Sequence, residues 1–197
     1  FRLKNILKKF QLIFGLCFTF LFGETSPLDS VINKFYERPG IYDLKIEQHQ
    51  MSTQSRSNGD LFIKDNHHLM IRLPNLSLLL DNNLFYTFYP HQNKVVIDYY
   101  VNSEFNLISI LNGDWKNISV DRIEEKNQSE TIYLSIEDYE ISGILKVDKY
   151  YNLKDLIINF SDNESIQLHL NLKGYQSVDF TLIIPDTTGW EIIDFRE

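Results

Sequence analysis

Cysteine is all but missing from this 197-residue sequence: Cys17 is the only one. It lies in an apolar N-terminal stretch, so the rest of the chain has no disulfide, no thiolate nucleophile and no cysteine-ligated metal. Glycine (8) and proline (5) are sparse, whereas phenylalanine (14) and tyrosine (11) are plentiful. That mix disfavours long irregular segments and favours strands. Long hydrophobic runs are missing too. The longest, Phe10 to Phe22, is interrupted by Gln11, Gly15 and Thr19 and falls short of the roughly 20 residues a helix needs to cross a bilayer.

That run follows Arg2, Lys4, Lys8 and Lys9. A basic start followed by a short apolar stretch is the pattern of a secretory signal. Cleavage after Gly23 is expected, with Leu21 and Gly23 at the −3 and −1 places. Residues 1–23 are therefore read as a signal peptide, and 24–197 as one mature domain exported to the periplasm. Lipidation of Cys17 is not expected, because Phe14-Gly15-Leu16 precede it where small residues are wanted. Basic charge is also in the minority. The whole chain carries −8, and loss of the signal leaves 15 basic against 27 acidic residues, a net −12. Such a chain has no electrostatic footprint for nucleic acid or for an anionic membrane surface.

Catalytic signatures are missing as well. The histidines are His49, His67, His68, His91 and His169, and only two are neighbours. His67 and His68 would point to opposite faces of a strand. There is no HExxH, no phosphate loop, no dinucleotide fingerprint and no GxSxG elbow. No metal, no cofactor and no enzymatic activity are expected.

What the sequence does hold is patterned apolar residues. Leu28, Val31, Ile32, Phe35 and Tyr36 recur at helical spacing opposite Asp29, Asn33, Lys34 and Glu37. Ser26 can cap that helix, Pro27 suits its first turn, and Arg38-Pro39-Gly40 ends it. From Tyr42 the period becomes two. Tyr42, Leu44 and Ile46 are followed by Leu61 and Ile63, then by Leu69, Ile71 and Leu73. After the turn at Asp81-Asn82-Asn83 come Leu84, Tyr86 and Phe88, then Val95, Ile97, Tyr99 and Val101. Further on, Ile132, Leu134 and Ile136 alternate, as do Leu145 and Val147. Leu156, Ile158 and Phe160 precede a turn at Ser161-Asp162-Asn163-Glu164. Ile166 to Leu172 gives the cleanest alternation, and Phe180, Leu182 and Ile184 are read as the closing strand.

About ten short strands with turn-length gaps make an antiparallel meander, too wide to stay flat. The fold class expected is mainly β with a few α-helices. The antiparallel sheet curls into an open half-barrel whose concave apolar face is covered by helices. One cover is the N-terminal helix. The other is a mid-chain helix within Phe105 to Trp115, carrying Phe105, Ile108 and Leu111 as a lid.

Several segments resemble the LolA family of outer-membrane lipoprotein carriers. Asn58-Gly59-Asp60-Leu61-Phe62-Ile63-Lys64 is similar to that family's GxLxxK strand. Asp81 to Pro90 is similar to its DGxxLWxYxP hairpin, with Tyr86 in the Trp place and Phe88 in the Tyr place. Glu47-Gln48 matches the FxQ stretch, with Ile46 in the Phe place. Phe180 to Pro185, with Gly189 and Ile192, resembles the FxFxxPxGVxV close. The chain departs from the family at two arginines: Asp65-Asn66 stand where Arg-Pro is usual, and Met70 aligns with a second arginine that latches the lid. Arg72 is nearby, but alternation puts it on the face opposite Leu69 and Ile71.

The resemblance implies a non-catalytic periplasmic carrier, working as a monomer. Its cargo would be the acyl chains of lipoproteins, received from an inner-membrane ABC-type exporter and passed to an outer-membrane acceptor. The expected lipid-binding wall is Ile46, Leu61, Ile63, Leu69, Ile71, Tyr86, Phe88, Ile97, Ile158 and Leu168. A rival reading is an envelope-stress sensor or assembly factor on the same fold, bound to protein partners. An enzyme acting on an apolar substrate is a third, with no residue pointing to it.

Overall fold

Helical spacing of apolar residues at the N-terminal end and strand spacing beyond it are both realised in the computed structural model, which describes residues 27–37, 39–101, 108, 111, 118–126, 128–136, 141–176, 179–180 and 183–196. Residues 1–23, expected to be a signal peptide, lie outside the described residues together with the expected cleavage site and Cys17, as does Phe105. Among the described residues, no helix is long and apolar enough to cross a membrane.

Helix α1 spans Pro27–Glu37. Leu28, Val31 and Phe35 form its buried stripe, and Lys34 donates to Glu37 at 2.8 Å on the polar side. Gly40 then starts β1 (Gly40–Gln50), which turns through Met51 into β2 (Thr53–Asp65). Met51 takes a positive φ of 54° at that tip. Short hairpins carry the chain through β3 (His68–Arg72), β4 (Ser77–Asp81), β5 (Leu84–Tyr89) and β6 (Lys94–Tyr99). Asn82 at φ 55° makes the tight turn between β4 and β5, a conformation asparagine tolerates better than most residues. A second series follows: β7 (Ser119–Lys126), β8 (Ser129–Ile136), β9 (Ile141–Asp148), β10 (Leu153–Ser161) and β11 (Glu164–Tyr175), with β12 (Glu191–Asp194) last.

These twelve strands belong to one sheet, in the order β12-β6-β5-β4-β3-β2-β1-β11-β10-β9-β8-β7. The sheet curls but does not close. Two hairpin series are therefore joined along one seam, β1 against β11, where Ile46 pairs with Leu168 and Leu44 with Leu170. Among the described strands every pairing is antiparallel except that of β12, which runs parallel to β6.

Two details differ from the sequence-based expectation. Phe180 and Ile184 do not form a closing strand: the amides of Ile183 and Ile184 both donate to the Phe180 carbonyl, which makes a turn. The last strand is β12 instead, and Leu182 lies outside the described residues. The charged segment at β7 also forms a strand. Nearly all of it is exposed, so pairing with β8 defines it, not burial. Charged residues along such an outermost strand discourage a second sheet from adding there.

Candidate functional site

Alternation along each strand produces two apolar faces. The larger is the one α1 covers. It unites Tyr42 and Leu44 of β1, Leu61 and Ile63 of β2, Leu69 and Ile71 of β3, Leu80 of β4, and the apolar sides of β8 to β11. Leu28, Val31 and Phe35 of α1 pack into the same cluster, and so do Ile108 and Leu111. Both of the latter are helical. Leu61, Ile63, Leu69 and Ile71 are 0% exposed. In this conformation these side chains are shut off from solvent.

Seven of the ten expected wall residues meet here. Leu61, Ile63, Leu69, Ile71, Ile158 and Leu168 are in the buried cluster, and Ile46 packs against it half-buried. The other three do not. Tyr86, Phe88 and Ile97 belong to a second cluster with Phe62, Met70, Leu79 and Val95, on the opposite side of β2 to β6. The register explains this. Leu79 stands beside both Met70 and Tyr86, and Tyr86 stands beside Ile97, so all four share the side away from α1. Here both sides of the strands are apolar. A strand buried on both sides reads as a continuous apolar run, such as Leu78-Leu79-Leu80, and gives no alternation from which to assign a side. The residue of β5 that packs into the larger cluster is Phe85. Met70 sits at the place aligned with the family's latching arginine but faces away from α1, among Phe62 and Leu79. Arg72 also points away: its guanidinium lies 4.8 Å from the Phe62 ring centroid and donates to Asp60 at 3.0 Å.

Phe180, Ile183, Ile184 and Trp190 pack over the second cluster. The C-terminal segment therefore covers the side opposite α1. The resemblance drew attention to Phe180 and Ile184 without indicating this role.

Phenol groups interrupt the aliphatic character of the α1-covered face. The rings of Phe35 and Tyr36 meet edge-on with centroids 5.2 Å apart, and Phe35 also contacts Tyr42 at 5.5 Å. The Tyr36 hydroxyl is buried and has no hydrogen-bond partner among the described residues. Burial pushes it well above the usual tyrosine pKa, and the nearby Tyr100 and Tyr42 phenols add to this. Burial likewise pushes Tyr42 up to about 12, with Tyr175 adding to it. A buried polar group left unpaired costs about 1–3 kcal/mol. Sequence patterning could not have shown this, since Tyr36 reads simply as part of the helix's apolar stripe.

Two cavities lined by described residues carry polar and charged side chains in their walls. One, of about 690 Å³, lies against the polar flank of α1, bounded by Asn33, Lys34, Glu37, Tyr150, Asn152 and Tyr175. Several of its polar groups are engaged: Tyr175 donates to Asn152 Oδ1 at 2.9 Å, and Asn152 Nδ2 donates to both Asp148 carboxylate oxygens at 3.1 and 3.0 Å. The other, of about 510 Å³, is bounded by the charged Asp43, Lys45, Lys154 and Asp155, with Leu44, His169 and Leu170.

Around that second cavity runs a ladder of ion pairs across β11, β1, β2 and β3. The Lys173 ammonium bridges Asp43 and Asp60, each at 2.7 Å, and Arg72 pairs with Asp60 at 3.0 Å; beside them His169 Nδ1 lies within hydrogen-bond distance of Asp155 of β10, at 2.6 Å. Partial burial alone would raise Asp60, but Lys173 and Arg72 outweigh it and hold the carboxyl below its ordinary value of 3.8. At the C-terminal end, hydrogen bonds from Arg196 pull Asp194 down to about 2. Carboxyls depressed in the folded state stabilise it above their unfolded pKa, and that contribution disappears as pH falls through the folded values. The melting temperature is thus expected to be flat above about pH 5 and to drop toward about pH 2. Asp60→Asn should lower the plateau and make the acid drop shallower. An acid drop unchanged by that substitution would show that Asp60 contributes nothing to it. Among the described residues, no group of three or more metal-binding side chains is present.

No protein-family model matches this chain, and no curated protein matches it. Solved structures do. An uncharacterized conserved protein from Thermus thermophilus superposes with a TM-score of 0.56 at 6% identity, over 85% of this chain and 96% of that one. A LolA superfamily protein from Nitrosomonas europaea gives 0.48 at 10% identity, over 82% and 99%. The lipoprotein LppX of Mycobacterium tuberculosis gives 0.39 at 8%, over 79% and 100%. At these identities it is the fold that is shared, and the likeness to the Thermus protein carries that conclusion.

Proposed function

We propose that this protein is a non-catalytic periplasmic carrier that shelters the acyl chains of lipoproteins under α1, taking them from an inner-membrane ABC-type exporter to an outer-membrane acceptor. One observation supports this reading above the others. An apolar face spanning β1 to β4 and β8 to β11 is covered, among the described residues, by one short helix together with Ile108 and Leu111. A sheet that needed only a permanent core would be served as well by a second sheet or by larger helices. A short amphipathic helix, by contrast, is a cover that can leave.

The energetics agree. Each methylene moved from lipid into water costs about 0.8 kcal/mol, so ten of them cost roughly 8 kcal/mol. Burial at about 25 cal/mol per Å² offsets this with a few hundred Å² of apolar wall. Left open, such a wall would drive aggregation, so the empty protein is expected to be closed. The sequence resemblance to LolA carriers points the same way.

The test is thermal. A triacylated lipopeptide at a concentration about 100-fold above its Kd should stabilise the protein by about 2.7 kcal/mol, which corresponds to a rise of roughly 5–11 °C in melting temperature. A soluble peptide of the same sequence without acyl chains should produce no rise. No rise with any acylated ligand would overturn the proposal.

A further inference from the structure

We propose that the Tyr36 hydroxyl is the polar anchor of the α1-covered face, donating a hydrogen bond to the ester carbonyl of an acyl chain lodged beneath the helix. This rests on the carrier reading and deepens it, since it names which part of the lipid is recognised. The observation behind it is the buried hydroxyl with no partner among the described residues. Buried hydroxyls are nearly always paired, and one that is not calls for an explanation. Phenylalanine would fill the same space beside Phe35 without leaving a donor unpaired. A donor kept in an apolar setting suits a ligand that brings the acceptor with it.

The surroundings restrict what that acceptor is. Burial keeps the phenol protonated, so at neutral pH it is a donor. Tyr36 packs against the buried apolar cluster, with the Phe35 ring beside it and the Tyr100 and Tyr42 phenols nearby. A fatty-acid carboxylate placed against this apolar cluster would lose its hydration, which is costly. An uncharged ester carbonyl meets the hydrogen bond at no such cost. The ligand class is therefore an acylglycerol, not a free fatty acid.

The experiment compares 1-palmitoylglycerol with 1-hexadecylglycerol by displacement of a bound apolar dye. The two probes share headgroup and alkyl tail and differ in the carbonyl. The wild-type protein should bind the ester roughly five- to tenfold more tightly, which is what one hydrogen bond is worth. Tyr36→Phe should erase that preference, bind the ether as the wild type does, and melt no lower than the wild type without ligand. A preference that persists in Tyr36→Phe overturns the proposal, as does equal binding of both probes by the wild type. A lower melting temperature for the unliganded variant overturns it as well, because the hydroxyl would then have been paired within the fold. If neither probe binds the wild type, the carrier reading itself fails, an outcome separable from the other three.

Discussion

Gly59→Ala is expected to cost the protein about 3 kcal/mol or more, a drop of roughly 6–12 °C in melting temperature. A methyl group at Gly59 would stand 2.1 Å from the Arg72 carbonyl oxygen and 2.9 Å from Leu73 Cδ2. The first of these is backbone, so no side-chain rotation relieves it. β2 and β3 would have to separate at that point, next to the pairing of Asp60 with Arg72. The loss would reach both apolar faces, because Leu61 and Phe62 follow directly and are buried on opposite sides. Gly174 provides the control. Nothing lies within 4 Å of a methyl placed there, and Gly174→Ala should be neutral or slightly stabilising, by up to about 1 kcal/mol. If the two variants melt together, the close approach at Gly59 has no energetic consequence.

The second large effect is expected at Phe35, and its form separates a fixed core from a movable cover. Phe35 is 6% exposed and anchors the last turn of α1. Truncating a buried phenylalanine to alanine removes about 3–5 kcal/mol. In a fixed core that loss would fall on the whole protein, lowering its melting temperature by roughly 6–20 °C. If α1 detaches by itself, most of the loss falls on the docking of the helix. Phe35→Ala should then bind an apolar dye severalfold more strongly, while the strand signal in circular dichroism and the main melting transition change little. Hydrogen exchange should speed up in α1 and remain slow in β1 and β11. A uniform fall in melting temperature without dye uptake would show that α1 is an ordinary part of the core.

Local pattern predicted the elements well where a segment has one wet side. The spacing of Leu28, Val31 and Phe35 gave α1, with the boundaries that the structure shows. The alternation from Ile166 to Leu172 falls within β11, and Asp81-Asn82-Asn83 does connect β4 to β5. The same reasoning failed where that premise failed. Tyr86, Phe88 and Ile97 sit on strands apolar on both sides, so their alternation is real but does not say which side faces α1. At β7 the opposite holds: with little apolar content, the segment offers no periodicity, and its strand exists through its pairing with β8. The closing strand was misplaced because Phe180 and Ile184 do pack against the sheet, as an apolar turn laid over it and not as one of its members. The unpaired hydroxyl of Tyr36 depends on what surrounds the residue in space, which no local pattern encodes.

The seam between β1 and β11 has a consequence for how the chain is made. β1 lies in the middle of the sheet, yet its partner arrives late: Gln50 and Glu164, opposite each other at the end of the seam, are 114 positions apart. All of that chain must reach the compartment where the protein folds before the missing strand is present. Through that interval β1 can pair with β2 on one side only, leaving its other edge open to any extended segment nearby. Such long-range pairing is slow even in the finished chain, because loop closure comes before any reward. The incompletely folded protein is thus most vulnerable along the line that later holds its two halves together, and a holding chaperone would be expected to engage it there until β11 has docked.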